Sequence, residues 1–332
     1  MTRWWSRLRP DNFTLALLCT VLLASFLPMH GAAAMVLDDV TDVAIAALFF
    51  LHGARLPRES IVAGLLHWRL HLTILACTFV MFPLLGLMFK PLDGWLLTPE
   101  LYIGVLFLCA LPSTVQSSIA FTSIARGNVP AAVCSASLSS ILGVFLTPLL
   151  LALLAGTEGG MHNPGQAIVS IMLQLLVPFV AGHLLRPWIA RWVEKQRALL
   201  RYTDQGTILL VVYSAFGEAV SEGLWSKTPL LSLLSVAVVA AVLLGIAMPL
   251  IRFIARRLGF NREDEITILF CGSKKSLATG VPIAKVLFAG GSLGAIVLPI
   301  MIYHQIQLIV CAMIAQRYAR DPVEPTPVTR QD

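Results

Sequence analysis

The sequence predicts an all-α polytopic membrane protein with ten transmembrane helices in two inverted five-helix repeats. Three observations predict it. Hydrophobic residues make up 57% of the 332 residues and charged residues only 13%, with a mean hydropathy of +0.82. Positive charges fall on alternate connections between the apolar runs. Short strings recur about half a chain length apart. So few charges cannot cover a water-facing surface, which argues against a soluble enzyme and against a nucleic-acid partner, although the net charge is +6. The apolar runs are continuous rather than alternating, which argues against an outer-membrane barrel and for helices in a lipid bilayer.

The spans read, in order, as 13–28, 38–54, 70–89, 99–124, 129–155, 167–187, 204–221, 228–251, 263–287 and 293–316. The first follows Arg3, Arg7 and Arg9 and precedes Ala32-Ala33-Ala34, a signal-peptide pattern. Because the chain beyond is itself membrane, the run reads as a first span. Thr41-Asp42 opens the second and Thr203-Asp204 the seventh, both as helix starts. Arg69 and Lys90 flank the third. Arg126 follows the fourth, and Arg186, Arg191, Lys195, Arg197 and Arg201 lie between the sixth and seventh. Asn261 followed by Glu263-Asp264-Glu265 is a cap with acids in the first turn of the ninth. With the N-terminus cytoplasmic, 19 of the 24 Lys and Arg residues fall on the inner side, as the positive-inside rule requires. The expected orientation therefore leaves residues 1–12 and 317–332 cytoplasmic.

Thr41-Asp42 and Thr203-Asp204 are 162 residues apart, and Ile124-Ala125-Arg126 and Ile283-Ala284-Lys285 are 159 apart. Five spans per copy is an odd number, so the second copy inserts upside down. The repeats are 13–155 and 156–316. This is an architecture of secondary transporters, whose sites lie at mid-membrane between the repeats.

The fourth and ninth spans should not be continuous helices. The fourth carries Pro112-Ser113-Thr114-Val115-Gln116-Ser117-Ser118, and the ninth carries Gly272-Ser273-Lys274-Lys275-Ser276-Leu277-Ala278-Thr279-Gly280. Pro112 removes a backbone donor, while Gly272 and Gly280 loosen the ninth span. Irregular backbone at this depth must be buried in protein or line a watery cavity. Half-helix ends would offer N–H groups to an anion and carbonyls to a cation. The competing reading is a polar helix interface, with serines and threonines bonding across helices or back to their own carbonyls.

A lysine at mid-membrane costs roughly 2.5–3.5 kcal/mol on insertion scales, so Lys274 and Lys275 need a cavity or a partner. No Asp or Glu lies at similar depth in the fourth span. Three roles stand open: a ligand for an organic anion, a neutral lysine that carries a proton, or a fixed cation in place of a metal ion. Snorkelling to the aqueous edge is the plain alternative. His304, Gln305 and Gln307 in the tenth span, and Ser135, Ser137, Ser139 and Ser140 in the fifth, either line the cavity or brace helices. The six cysteines sit in or beside apolar runs without Cys-x-x-Cys spacing, so neither a disulfide framework nor a metal site is expected. Metalloprotease, phosphate-loop and nucleophile-elbow motifs are absent, so no enzyme is expected and no cofactor beyond a coupling proton or sodium ion.

The string Ser123-Ile124-Ala125-Arg126-Gly127-Asn128-Val129 after a broken fourth span resembles the bile acid:sodium symporter family. Further strings resemble its divergent SBF-like bacterial subgroup, which is related to the seventh member of solute carrier family 10. They are Leu51-His52-Gly53-Ala54, His67-Trp68-Arg69-Leu70-His71, Cys271-Gly272-Ser273-Lys274-Lys275-Ser276-Leu277-Ala278 and His304-Gln305-Ile306-Gln307-Leu308. The likeness runs from about residue 11 to 318. It implies a panel domain of spans 1, 2, 6 and 7 and a core of spans 3–5 and 8–10, in which broken spans 4 and 9 cross. It implies organic-anion substrates, among them bile acids, sulfated steroids, pantoate-like acids and keto acids, with sodium as the usual driver. The residues depart from the family at its sodium ligands. Phe270 and Lys274 stand where the ninth span usually has Glu and Gln, Ser118-Ile119 where the fourth has Ser-Asn, and Ala132 and Ala136 where the fifth has hydroxyls. Both sodium sites look dismantled, with Lys274 supplying positive charge instead.

With the bacterial subgroup it resembles, the expectation is thus an alternating-access transporter of a small organic anion in a bacterial inner membrane. Its substrate and ion site would be drawn from Ser113, Thr114, Gln116, Ser117, Ser118, Ser135, Ser139, Gly272, Ser273, Lys274, Lys275, Ser276, Thr279, His304 and Gln305. The alternative is a non-transporting membrane regulator or scaffold, whose polar cluster would be closed by internal hydrogen bonds. The sequence sets no oligomeric state.

Overall fold

The computed structural model describes residues 12–55, 67–155, 172–221, 223, 230–288 and 293–320. Residues 1–11 and 321–332, in the expected cytoplasmic ends, and 167–171, in the expected sixth span, lie outside the described residues. Among the described residues the chain is helical, with no strand beyond one isolated bridge between Asp93 and Leu97. The helices are α1 (Asn12–Phe26), α2 (Ala32–Arg55), α3 (Trp68–Leu87), α4 (Pro99–Ala110), α5 (Val115–Ile124), α6 (Val129–Ala155), α7 (Val177–Lys195), α8 (Arg197–Ser221), α9 (Leu230–Arg257), α10 (Arg262–Ser273), α11 (Leu277–Leu287) and α12 (Leu293–Arg320).

Among the described residues four helices, α3, α6, α9 and α12, are long and apolar enough to cross a membrane, and α4 with α5 makes a fifth candidate, bent by 59° at the break. Leu15, Leu22, Phe26, Leu153, Leu184 and Val238 are exposed on the outside, an apolar surface suited to lipid rather than water. Trp68, Trp95, Trp188 and Trp192 are also exposed, as interfacial aromatics are.

The helices pack in two groups. In one, α2 lies along α7, and α8 packs on α1 and α2. In the other, α4 packs on α12, α9 on α10 and α12, and α5 and α10 lie against each other and against α6. The groups meet mainly where α8 touches α11 and α12. Lipid gives no hydrophobic drive to helix association, so close backbone approach matters. At the α2–α7 crossing a Cβ on Gly53 would collide with the Phe179 carbonyl, and one on Gly182 with the Phe50 carbonyl.

Asp42 and Asp204 do not start helices. Both lie inside longer ones: Asp204 is buried against a cation, and Asp42 is half exposed with a cation beside it. Arg55 pairs with Asp204 between α2 and α8, and Lys285 of α11 lies 3.1 Å from Asp38 and 3.3 Å from Asp42. Asn261 caps α10 as read from sequence, accepting from Asp264 N at 2.8 Å. Glu265 goes further than first-turn acid chemistry. It is buried, and it receives Arg252 at 2.8 Å and Arg256 at 2.9 Å, which ties α10 to α9.

Candidate functional site

Two stretches of unwound backbone meet inside the second helix group. One is Leu111–Thr114, between α4 and α5; the other is Lys274–Ser276, between α10 and α11. Buried backbone polar groups need partners wherever a helix lets go of them. Ser276 N donates to Pro112 O at 2.9 Å, and Thr114 Oγ1 donates to Lys275 O at 2.8 Å, so the two breaks hold each other. Ser113 N goes to Ser139 Oγ at 3.0 Å, and Thr147 Oγ1 serves Ala110 O at 2.9 Å. Tyr303 of α12 donates to Ser273 O at 2.8 Å. Gln307 takes both sides of Lys275: its Oε1 accepts from the Lys275 N–H, and its Nε2 donates to the carbonyl, each at 2.9 Å. A side-chain amide here does what a neighbouring strand would do.

Pro112 breaks the fourth span as expected. In the ninth, the unwound residues are Lys274, Lys275 and Ser276 themselves. Gly272 remains in the last turn of α10 and Gly280 lies inside α11. The bonds from Tyr303, Gln307, Thr114 and Pro112 make the unwound form tolerable, so no glycine is required at the break.

Both lysines are fully buried. Lys275 Nζ donates to three backbone carbonyls, those of Thr78, Cys109 and Leu111, each at 2.8 Å, and lies 4.3 Å from the Phe82 ring centroid. Lys274 Nζ has no hydrogen-bond partner and lies 3.8 Å from the Phe121 ring centroid. Ser273 Oγ is likewise buried without a partner, so the neighbouring hydroxyl and ammonium make no hydrogen bond to each other.

The other residues singled out from sequence divide by surroundings. Ser113, Ser118, Ser135 and Ser139 are buried and engaged with protein. Ser118 donates to Phe270 O at 3.4 Å, and Ser135 meets His71 Nδ1 at 2.6 Å. Ser276 caps α11, accepting from Thr279 N at 3.1 Å, and His304 Nδ1 lies 2.9 Å from Gln307. Gln305 is half-buried on α12. Thr114, Gln116 and Ser117 form the start of α5, which makes no side-chain cap bond. There Gln116 is exposed, Thr114 and Ser117 are half-buried, and Ser117 Oγ is itself enclosed without a partner. An uncapped helix start of this kind presents free N–H groups and a positive dipole end.

Three of the positions where the resemblance puts sodium ligands carry no oxygen on the side chain, while Ser118 keeps its hydroxyl. Phe270, Ala132 and Ala136 are fully buried apolar side chains. Sodium needs oxygen donors, and none of these supplies one from its side chain.

Thr78, Thr147 and Tyr303 were not singled out in the sequence, and Gln307 was noted only as a mid-span polar residue. The bonds by which they hold the two breaks and Lys275 join residues 30 or more apart. Local spacing carries no trace of such pairs. The one local signal was Pro83, which has no N–H to offer the helix that contains Thr78.

Residues 11–320 match the SBF-like CPA transporter family. The chain is 65% identical to the uncharacterized protein PA2026 of Pseudomonas aeruginosa, over 95% of this chain and 94% of that one. It is 56% identical to the putative symporter YfeH of Escherichia coli, over 93% of each. It is 28% identical to sodium/bile acid cotransporter 7-B of Xenopus laevis, over 93% of this chain and 91% of that protein. With apolar helices suited to a bilayer and a family match over nearly its whole length, the chain is a membrane protein and belongs to the SBF-like CPA transporter family.

Proposed function

We propose that the protein is a secondary transporter of a small organic anion, working by alternating access in the inner membrane with both termini cytoplasmic. The observation that carries this is the uncapped start of α5 at the meeting of two helix breaks. The exposed Gln116 and the enclosed, unpartnered Ser117 hydroxyl lie in its first turn, where a helix's leading N–H groups and positive dipole end favour negative charge. The two buried ammoniums of Lys274 and Lys275 lie at the neighbouring break, joined to α5 by the Thr114–Lys275 bond, and add to the positive field. A carboxylate or sulfate suits this point; a cationic solute does not.

In this reading the ten spans form inverted repeats 13–155 and 156–316. The group of α1, α2, α7 and α8 is the panel and the remaining helices are the core. Thr114, Gln116 and Ser117 contact the anion, and Ser276, Thr279, His304 and Gln305 shape the opposite side. Ser113, Ser118, Ser135, Ser139, Gly272 and Ser273 hold the crossing in place. Lys274 serves as the buried counter-charge. Coupling does not run through the family's usual sodium positions, since Phe270, Ala132 and Ala136 fill them.

One observation favours the second reading, a non-transporting regulator or scaffold: neither ammonium reaches water and most of the polar cluster is closed on itself. Uptake into proteoliposomes separates the two. Purified protein is reconstituted and offered labelled keto acids, sulfated steroids and pantoate-like acids, with sodium or pH gradients imposed. Saturable uptake of one class, weakened at least tenfold in affinity by Gln116→Ala, supports transport. No uptake of any anion under any gradient, by protein that remains folded, supports the scaffold.

A further inference from the structure

Lys275 Nζ sits in a cage of carbonyls that regular helices could not have supplied. An ammonium has three N–H donors and no acceptor. Here each donor has one carbonyl, from Thr78, Cys109 and Leu111, all at 2.8 Å. Thr78 lies in a single π-helical turn, Cys77–Met81, inside α3. Phe82 N–H therefore donates to Cys77 O rather than to Thr78 O, and Pro83, next in line, has no N–H. Cys109 O is free because its helical partner, the Ser113 N–H, goes to Ser139 instead. Leu111 O belongs to the unwound stretch before α5. The Phe82 ring lies against the same ammonium. Among the described residues no carboxylate pairs with Lys275; its hydrogen-bond acceptors are backbone dipoles alone.

Rings of backbone carbonyls that replace an ion's water shell are how proteins hold monovalent cations. We propose that this cage is a monovalent-cation site filled by the chain's own ammonium. Lys275 is a tethered ion that locks α3, α4 and the α10–α11 break together, so the core needs no free alkali ion at this point. The inference stands on the carbonyl geometry and does not depend on what the protein carries.

The site makes a chemical-rescue prediction. Lys275→Ala removes the tether and leaves the carbonyls, opening a vacancy for ammonium or methylammonium. The experiment is thermal unfolding of the full-length protein in detergent, titrated with ammonium, methylammonium, potassium and sodium chloride, with choline holding ionic strength constant. Lys275→Ala should lose roughly 5 °C or more in Tm. One of the small cations should then restore it saturably, since a ligand of the folded state alone stabilises by RT ln(1 + [L]/Kd). Lys275→Met, whose apolar tail fills the same channel, should lose as much and regain nothing.

A Lys275→Met protein as stable as the unaltered one would overturn the proposal. So would a folded Lys275→Ala protein that none of the four cations stabilises. If Lys275→Ala cannot be purified folded, Pro83→Ala takes its place. An alanine in a helix ordinarily stabilises over proline. Here it gives Thr78 O a competing N–H partner, so a lower Tm is expected and a higher one overturns the proposal.

Discussion

Lys274 and Lys275 are adjacent, equally buried and opposite in their hydrogen bonding: the Lys275 ammonium has three carbonyl partners and the Lys274 ammonium has none. The unwound backbone between α10 and α11 makes this possible, because it sends neighbouring side chains into different surroundings. Lys275 reaches toward α3 and α4, and Lys274 lies over Phe121 of α5. One lysine is therefore a fastening, while the other is a cost that the fold bears without an evident structural return. A buried polar group without a partner is where function is to be sought.

Replacing each lysine with methionine should separate the two. Lys275→Met removes three charge-assisted bonds and orphans three carbonyls, which should cost about 3–5 kcal/mol. Lys274→Met orphans no hydrogen-bonding group and removes a buried ammonium without a hydrogen-bond partner, so stability should stay level or rise by up to about 2 kcal/mol. Uptake should nevertheless be lost in Lys274→Met. Parallel thermal unfolding and uptake on both variants would check this, and equal destabilisation would refute the distinction.

Gln307 and Thr114 share one carbonyl, that of Lys275. Thr114→Val alone should cost about 1 kcal/mol, because Gln307 still serves that oxygen. Gln307→Leu should cost about 2–3 kcal/mol, since it also orphans the Lys275 N–H. The double variant should exceed the sum of the singles by about 1 kcal/mol, because only then is the carbonyl left bare. Chemical denaturation of all four proteins measures that coupling directly.

The same network marks how far sequence could lead. Pro112 announced its break because a missing N–H is a local fact. The ninth-span break was placed near the right residues for a reason that did not hold: Gly272 stays helical and Lys275 unwinds, held by Gln307, Tyr303 and Pro112. Pro83 apart, the apolar run of α3 gave no sign of the π turn that frees Thr78 O. Thr41-Asp42 and Thr203-Asp204 read as helix starts because a charge in an apolar run usually marks its edge. Both helices in fact begin earlier, at Ala32 and Arg197, and the cations beside the acids, Lys285 and Arg55, come from far off in the chain. Composition and local chemistry reach the helices; bonds between distant segments decide which polar residues are fastenings.

Lys285 joins the two helix groups, from α11 to Asp38 and Asp42 of α2, and Ser214 of α8 donates to the same Asp38 at 2.6 Å. The acids are half exposed, so the pairs should be worth less than about 1 kcal/mol to stability. Their expected effect is on opening between the groups. Ser214→Cys should react slowly with a membrane-impermeant thiol reagent and at least tenfold faster when Lys285→Met is added, with mass spectrometry reading the label at residue 214. Unchanged labelling would show that the ion pairs do not hold this junction.

Gly143 of α6 tests how tightly the fourth-span break is seated. A Cβ there would lie 2.5 Å from two ring carbons of Pro112, whereas one on Gly245 of α9 would meet nothing within 4 Å. The two alanine substitutions should therefore differ in sign. Gly245→Ala should stabilise by about 0.5–1 kcal/mol through helix propensity alone. Gly143→Ala gains the same propensity but must push Pro112 away, and overpacking of this kind costs about 1–3 kcal/mol. Moving Pro112 also strains the Ser276–Pro112 bond and the Leu111 carbonyl beside it, so the loss should reach the Lys275 cage. Gly143→Ala should accordingly unfold earlier, whereas a Tm above that of the unaltered protein would mean that the break has room to shift and is not held by its neighbours.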